Sequence, residues 1–140
     1  MTQLSMLNYS AIFSAAVASF LFGGLWYGLL ARRWIGLAAD GATATSGGLT
    51  PVPFIITFIA QLVMVVMLSG ILTHVTGSGV PFTLRSALIS ALLIWIGFVV
   101  TTLAATNALH GAPFARTLVD SGHWLGVLLI QSAVLFLMSA

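Results

Sequence analysis

The side chains able to do chemistry in this 140-residue chain are few, and most of them gather toward its last third. Asn107, His110, Arg116, Asp120 and His123 follow one another closely, and Tyr27 belongs to the same side of the molecule by the span pattern described below. Histidine can shuttle a proton, accept or donate a hydrogen bond, or ligate a metal. Asp120 and His123 stand three residues apart, on one face of a helix, and His110 could approach from the preceding segment. A His-Asp-His set of this kind could hold a metal. No recognised ligand spacing accompanies it, so no metal is assigned. The competing structural reading places Asp120 at the start of the fourth helix. There its carboxylate would accept from free backbone amides and suit the positive helix end. His74 stands alone and reads as an interfacial side chain.

A second group is uncharged. Gln61, Trp95 and Gln131 fall near the middle of three different apolar runs. An amide in hydrocarbon needs a partner, because an unsatisfied one costs several kcal/mol. Two readings are open. The three residues either hydrogen-bond one another between helices and fix the fold, or line a polar path for a small solute. No ionisable side chain shares their depth, which disfavours a buried carboxylate proton relay.

Other chemistries lack their residues. With no Cys there is no disulfide, thiolate ligand or thiol nucleophile. Asp40 and Asp120 belong to different loops, and no Gly-rich phosphate loop or Ser-His-Asp arrangement is present, so an enzyme is the least supported class. No cofactor is indicated. The high pI reflects four Arg against two Asp, which form no basic patch, so a nucleic-acid partner has no support.

The elements that must position these residues follow from composition. Of the residues, 60% are hydrophobic and 4% are charged, against about 25% charged in soluble domains. A soluble fold of that kind would aggregate through its apolar surface, whereas lipid solvates it. The apolar runs predict four helices, over approximately 9–31, 53–74, 85–109 and 121–139, each near the roughly 20 residues that cross a bilayer. The runs are continuous rather than alternating, which favours helices over a barrel. The expected fold is a single all-α domain over residues 1–140, a four-transmembrane-helix bundle whose first partner is the lipid bilayer. Met1 to Tyr9 contains no Lys or Arg, unlike a signal peptide.

Every charge falls at or beyond a span end, as expected when an Arg at the bilayer centre costs at least about 2.5 kcal/mol. Arg32, Arg33 and Arg116 share one side; Arg85 and the α-amino group share the other. The positive-inside rule then places the loops after helices one and three in the cytoplasm and both termini outside. The expected location is the bacterial cytoplasmic (inner) membrane. Trp26, Tyr27, Trp34 and Trp124 lie toward the same cytoplasmic ends, as an aromatic belt would. In the 32–52 loop, Trp34, Ile35 and Leu37 could lie on the membrane, and 41–48 is small and polar. Pro51 and Pro53 stiffen the entry to helix two.

Small residues supply close-approach surfaces. Ala15, Ser19 and Gly23 recur every four residues, Gly24-Leu25-Trp26-Tyr27-Gly28 is a GxxxG, and Ser90, Gly97, Thr101 and Ala105 form a second stripe. They serve packing within the chain or contact with a second subunit. A weak internal echo pairs Trp26-Tyr27-Gly28 with Trp95-Ile96-Gly97, and Gln61 with Gln131.

Gly24-Leu25-Trp26-Tyr27-Gly28 followed by Arg33-Trp34 resembles the first-helix signature of the bacterial family known as domain of unknown function 1761. Trp95-Ile96-Gly97-Phe98 is similar to that family's third-helix motif, and Asn107 to Gly122, with Gly111, Pro113, Leu118 and Asp120, is similar to its loop before helix four. The sequence departs at His110 and Ala112, which stand where an acidic and a basic residue flank the glycine, and at His123, which replaces a Tyr. The resemblance implies a compact four-helix membrane protein without an established activity. Two functions are therefore expected from the residues. One is a small oligomeric membrane binder or conduit for an ion or small solute. The other is a structural or accessory subunit of a larger membrane complex.

Overall fold

A computed structural model of the chain describes residues 8–31 and 51–139, and every regular element among them is helical. Helix α1 runs over Tyr9–Trp26 and continues as a π-helical turn over Tyr27–Ala31. Helix α2 spans Val52–Gly77. Helix α3 spans Leu84–Leu109, with a π-helical segment over Trp95–Val100 in its middle, and helix α4 spans Phe114–Ser139. The four are long and apolar enough to cross a membrane. The molecule is an all-α four-helix bundle and, by those spans, a multi-pass membrane protein. The loop readings at Arg32, Arg33, Trp34, Ile35, Leu37, Asp40 and 41–48 lie outside the described residues.

The helix starts are written locally. Asn8 caps α1, its side-chain oxygen accepting from the Ala11 amide at 3.1 Å. Pro51 precedes α2 and Pro53 sits in its first turn, where a missing N–H costs nothing. Thr83 and Ser86 form a reciprocal capping box at the start of α3. Between α3 and α4 the chain reverses at Gly111, whose φ of +66° is a left-handed conformation that glycine adopts without a Cβ penalty.

Three of the four helices begin within a residue of the sequence expectation, and α4 does not. It starts at Phe114 rather than 121, directly after Pro113. Proline pre-sets the backbone for a first helical turn, and this signal outranks the polarity of Arg116 and Asp120 that made the stretch read as loop. The correction matters for chemistry. Asp120 is well inside the helix and does not cap it. A 26-residue helix is about 39 Å long, longer than the ~30 Å hydrocarbon layer, so the first turns of α4 can carry charge outside that layer.

Helix α4 is the centre of the bundle and packs on all three others. Its buried residues, Thr117, Ser121, His123, Val127, Leu128, Gln131, Ser132 and Leu135, occupy more than one face. Against it α1 presents a strip of small residues, Ala11, Ala15, Ser19 and Gly23, all buried. Small side chains let the two backbones approach, which is where van der Waals contact must come from when lipid is as apolar as the core. Helix α3 leans mainly on α4, and its residues Leu93, Ile96 and Phe98 face outward, as do Ile55, Ile59, Val63 and Met67 of α2. A bilayer would solvate these surfaces.

Candidate functional site

The α1–α4 interface alternates glycine with rings. A Cβ placed on Gly23 would lie 2.8 Å from His123 Nε2, and one on Gly122 would lie 2.9 Å from the Trp26 ring. A Cβ on Gly126 would collide with the Phe22 ring. Each glycine is thus the hole that an aromatic side chain from the facing helix fills. The packing GxxxG is Gly122-His123-Trp124-Leu125-Gly126 on α4. Gly24 and Gly28, the pair singled out in α1, are exposed with nothing within 4 Å of a built Cβ, and the same holds for Gly97 on α3.

This interlock sets a polar cluster at the Arg116 end of the bundle. His123 is only 3% exposed. Its ring lies parallel to Phe22, with centroids 6.2 Å apart, and tilts on Tyr27 at 4.8 Å and Trp124 at 4.9 Å. Tyr27 donates its hydroxyl to Asp120 Oδ1 at 2.8 Å. Arg116, one turn before Asp120, approaches the same carboxylate at 3.8 Å and is 60% exposed. An ion pair that open to water contributes little stability; its use is to lead from the surface to the half-buried carboxylate. The His123 Nδ1 atom is buried without a hydrogen-bond partner. Buried polar atoms are partnered in nine cases of ten or more, so this atom, like Gln61 Nε2, Gln131 Oε1 and Ser132 Oγ deeper in the bundle, calls for an explanation.

The remaining members of the expected mouth lie elsewhere. Asn107 donates to the Thr117 hydroxyl at 3.0 Å and so ties α3 to α4. His110 is exposed at the end of α3, its Nδ1 2.7 Å from the Thr106 carbonyl oxygen. His110, Asp120 and His123 do not converge; among the described residues no three His or acidic side chains gather closely enough for a metal ion. His110 instead turns back on its own helix end.

Deeper in the bundle, Gln61 and Gln131 meet, but Trp95 is not with them. Gln131 Nε2 donates to Ser19 Oγ and to the Gln61 backbone carbonyl, both at 3.2 Å, and Ser19 donates to Gln61 Oε1 at 2.8 Å. All three residues are fully buried. The Trp95 indole instead donates to the Ser121 carbonyl at 2.7 Å, ten residues and about 15 Å along α4 from Gln131. Trp26 makes the matching bond from the α1 side, to the Val119 carbonyl at 3.2 Å. The first turns of α4 are therefore gripped by two indoles, Trp26 immediately before a π-helical segment and Trp95 the first residue of one. Such segments often mark functional positions in helices.

Sequence reasoning missed Phe22, Thr117, Gly126 and Ser132, and the packing role of Gly122. Gly122 and Gly126 were legible as a GxxxG. Ser132, buried with an unpartnered hydroxyl, had no signal beyond its place beside Gln131.

A family model described as "Protein of unknown function (DUF1761)" matches residues 10–136. No curated protein and no solved structure matches the chain.

Proposed function

The chain belongs to the DUF1761 family of unknown function, and within that family we propose that it is a membrane-embedded binder of a small polar solute, working as an oligomer. The observation that carries the proposal is the buried His123 ring with its unpartnered Nδ1, set beside the Tyr27–Asp120 hydrogen bond and the surface-reaching Arg116. A solute with a hydrogen-bonding group would satisfy the ring nitrogen, and the carboxylate and guanidinium offer it charged partners of either sign. The rings of Phe22, Tyr27 and Trp124, packed on His123, would give such a solute apolar contact.

The same geometry supports binding over conduction. Between His123 and Gln131, α4 places Val127 and Leu128, buried at 0% and 2% exposure. The two polar centres are thus separated by a dry apolar layer along the helix. Oligomerisation finds support in the outward-facing Gly24 and Gly28, which leave room for a second backbone. The same open glycines favour the second reading, an accessory subunit, in which a different membrane protein takes that face. A stable homo-oligomer without co-purifying chains argues against the second reading.

The test is solute binding by purified protein in mild detergent. A panel of small amines, carboxylates and neutral polyols is screened by thermal stabilisation, beside His123→Phe. The proposal expects at least one class to raise the wild-type Tm in a saturable way and to lose the effect in the variant. No stabilisation by any class, or stabilisation equal in His123→Phe, would sink it.

A further inference from the structure

A second feature lies on the opposite side of α4 and is independent of the His123 cluster. Between α3 and α4 an open groove of about 720 Å³ runs along the helices. Its walls are Leu88, Ile89 and Leu92 of α3 and Leu125 and Leu129 of α4, and Arg85 stands at its rim. From Arg85 to Leu92 the groove extends about 10 Å along α3, from the helix start toward mid-membrane. Arg85 is exposed, and among the described residues no carboxylate pairs with it.

Depth and charge together identify the occupant. A lengthwise apolar trough inside the hydrocarbon layer fits a flexible chain of methylenes lying parallel to the helices. A single guanidinium at the end of that trough, at the level where α3 emerges and with no carboxylate beside it among the described residues, fits a phosphate, which it binds in a forked geometry, and favours a headgroup with no cation of its own to compete for that phosphate. A transmembrane helix from a partner would meet leucines on both walls rather than the small residues that allow close backbone approach. We infer that the α3–α4 groove holds an anionic phospholipid, its acyl chain against Leu88, Leu92, Leu125 and Leu129 and its phosphate on Arg85.

The experiment uses the full chain, purified in mild detergent and exposed to equimolar dioleoylphosphatidylglycerol and dioleoylphosphatidylcholine. Native mass spectrometry then counts the retained lipids. The wild type is expected to retain phosphatidylglycerol over phosphatidylcholine about fivefold, the effect of one basic residue near an anionic surface. Arg85→Gln, at an exposed position, is expected to keep the Tm and lose the preference. Ile89→Trp, which fills the trough, is expected to reduce retention of both lipids. Equal retention of the two lipids by the wild type, or an undiminished preference in Arg85→Gln, would overturn the inference. So would a lipid-free dimer that Ile89→Trp dissociates, because a second copy of the chain would then be the occupant. Should Ile89→Trp fail to fold, the Arg85→Gln comparison decides alone.

Discussion

At Gly126, Gly122 and Gly23 a hydrogen atom stands where any other side chain would meet a ring from the facing helix. Adding a methyl group at Gly126 must displace Phe22, which is itself packed on Trp26 and His123. Gly126→Ala is expected to cost about 1–3 kcal/mol, the usual penalty for overpacking. Gly24→Ala, where a built Cβ meets no atom of the same chain, should leave the fold of the single chain unchanged or stabilised by up to about 1 kcal/mol through helix propensity, while weakening the proposed subunit contact on that face. Reversible unfolding in mixed micelles measures both, and equal effects at the two positions would contradict the packing described here. The buried amide node makes a separate prediction. A double-mutant cycle of Ser19→Ala and Gln131→Leu should give a coupling of about 0.6 kcal/mol and no more than about 1.7, the range for hydrogen bonds between membrane helices. Zero coupling would mean that the two side chains share depth without sharing a bond.

At the scale of elements, the apolar runs were enough to read four helices, because about twenty apolar residues in a row leave little ambiguity. The start of α4 was not legible in polarity, since Arg116 and Asp120 are charged and yet helical; Pro113 was the better guide. The site was legible as a collection of residue types and not as an arrangement. His123, Tyr27 and Asp120 come together because α1 and α4 are antiparallel neighbours, and a sequence of apolar spans does not state which helices touch. Trp95 illustrates the limit. Its depth suggested company for Gln61 and Gln131, but its indole faces the Ser121 carbonyl across the α3–α4 contact. Because α3 leans mainly on α4, that one bond should matter to the whole helix. Trp95→Phe is expected to lose about 0.5–1.5 kcal/mol and to speed amide hydrogen exchange in α3 more than in α1. Uniform changes across the helices would argue against the indole as a tether.

For the molecule as a whole, four spans among the described residues predict both termini on one side, and the positive-inside rule proposes which side that is. The chain has no Cys, so single cysteines report cleanly. Ser139→Cys should react with a membrane-impermeant maleimide in intact cells, and His110→Cys should react only after lysis; the reverse pattern would invert the orientation. Two polar centres are separated along α4 by the buried Val127 and Leu128, and the proposed binding belongs to the one at the Arg116 end. With three His in the chain, that assignment is directly observable as the imidazole ¹⁵N shifts of ring-labelled protein, resolved with His74→Gln and His110→Gln. Addition of a solute that raises the Tm should move the His123 Nδ1 resonance and leave the other two rings unchanged. A solute that stabilises the protein while the His123 Nδ1 resonance stays in place would contradict the proposed site.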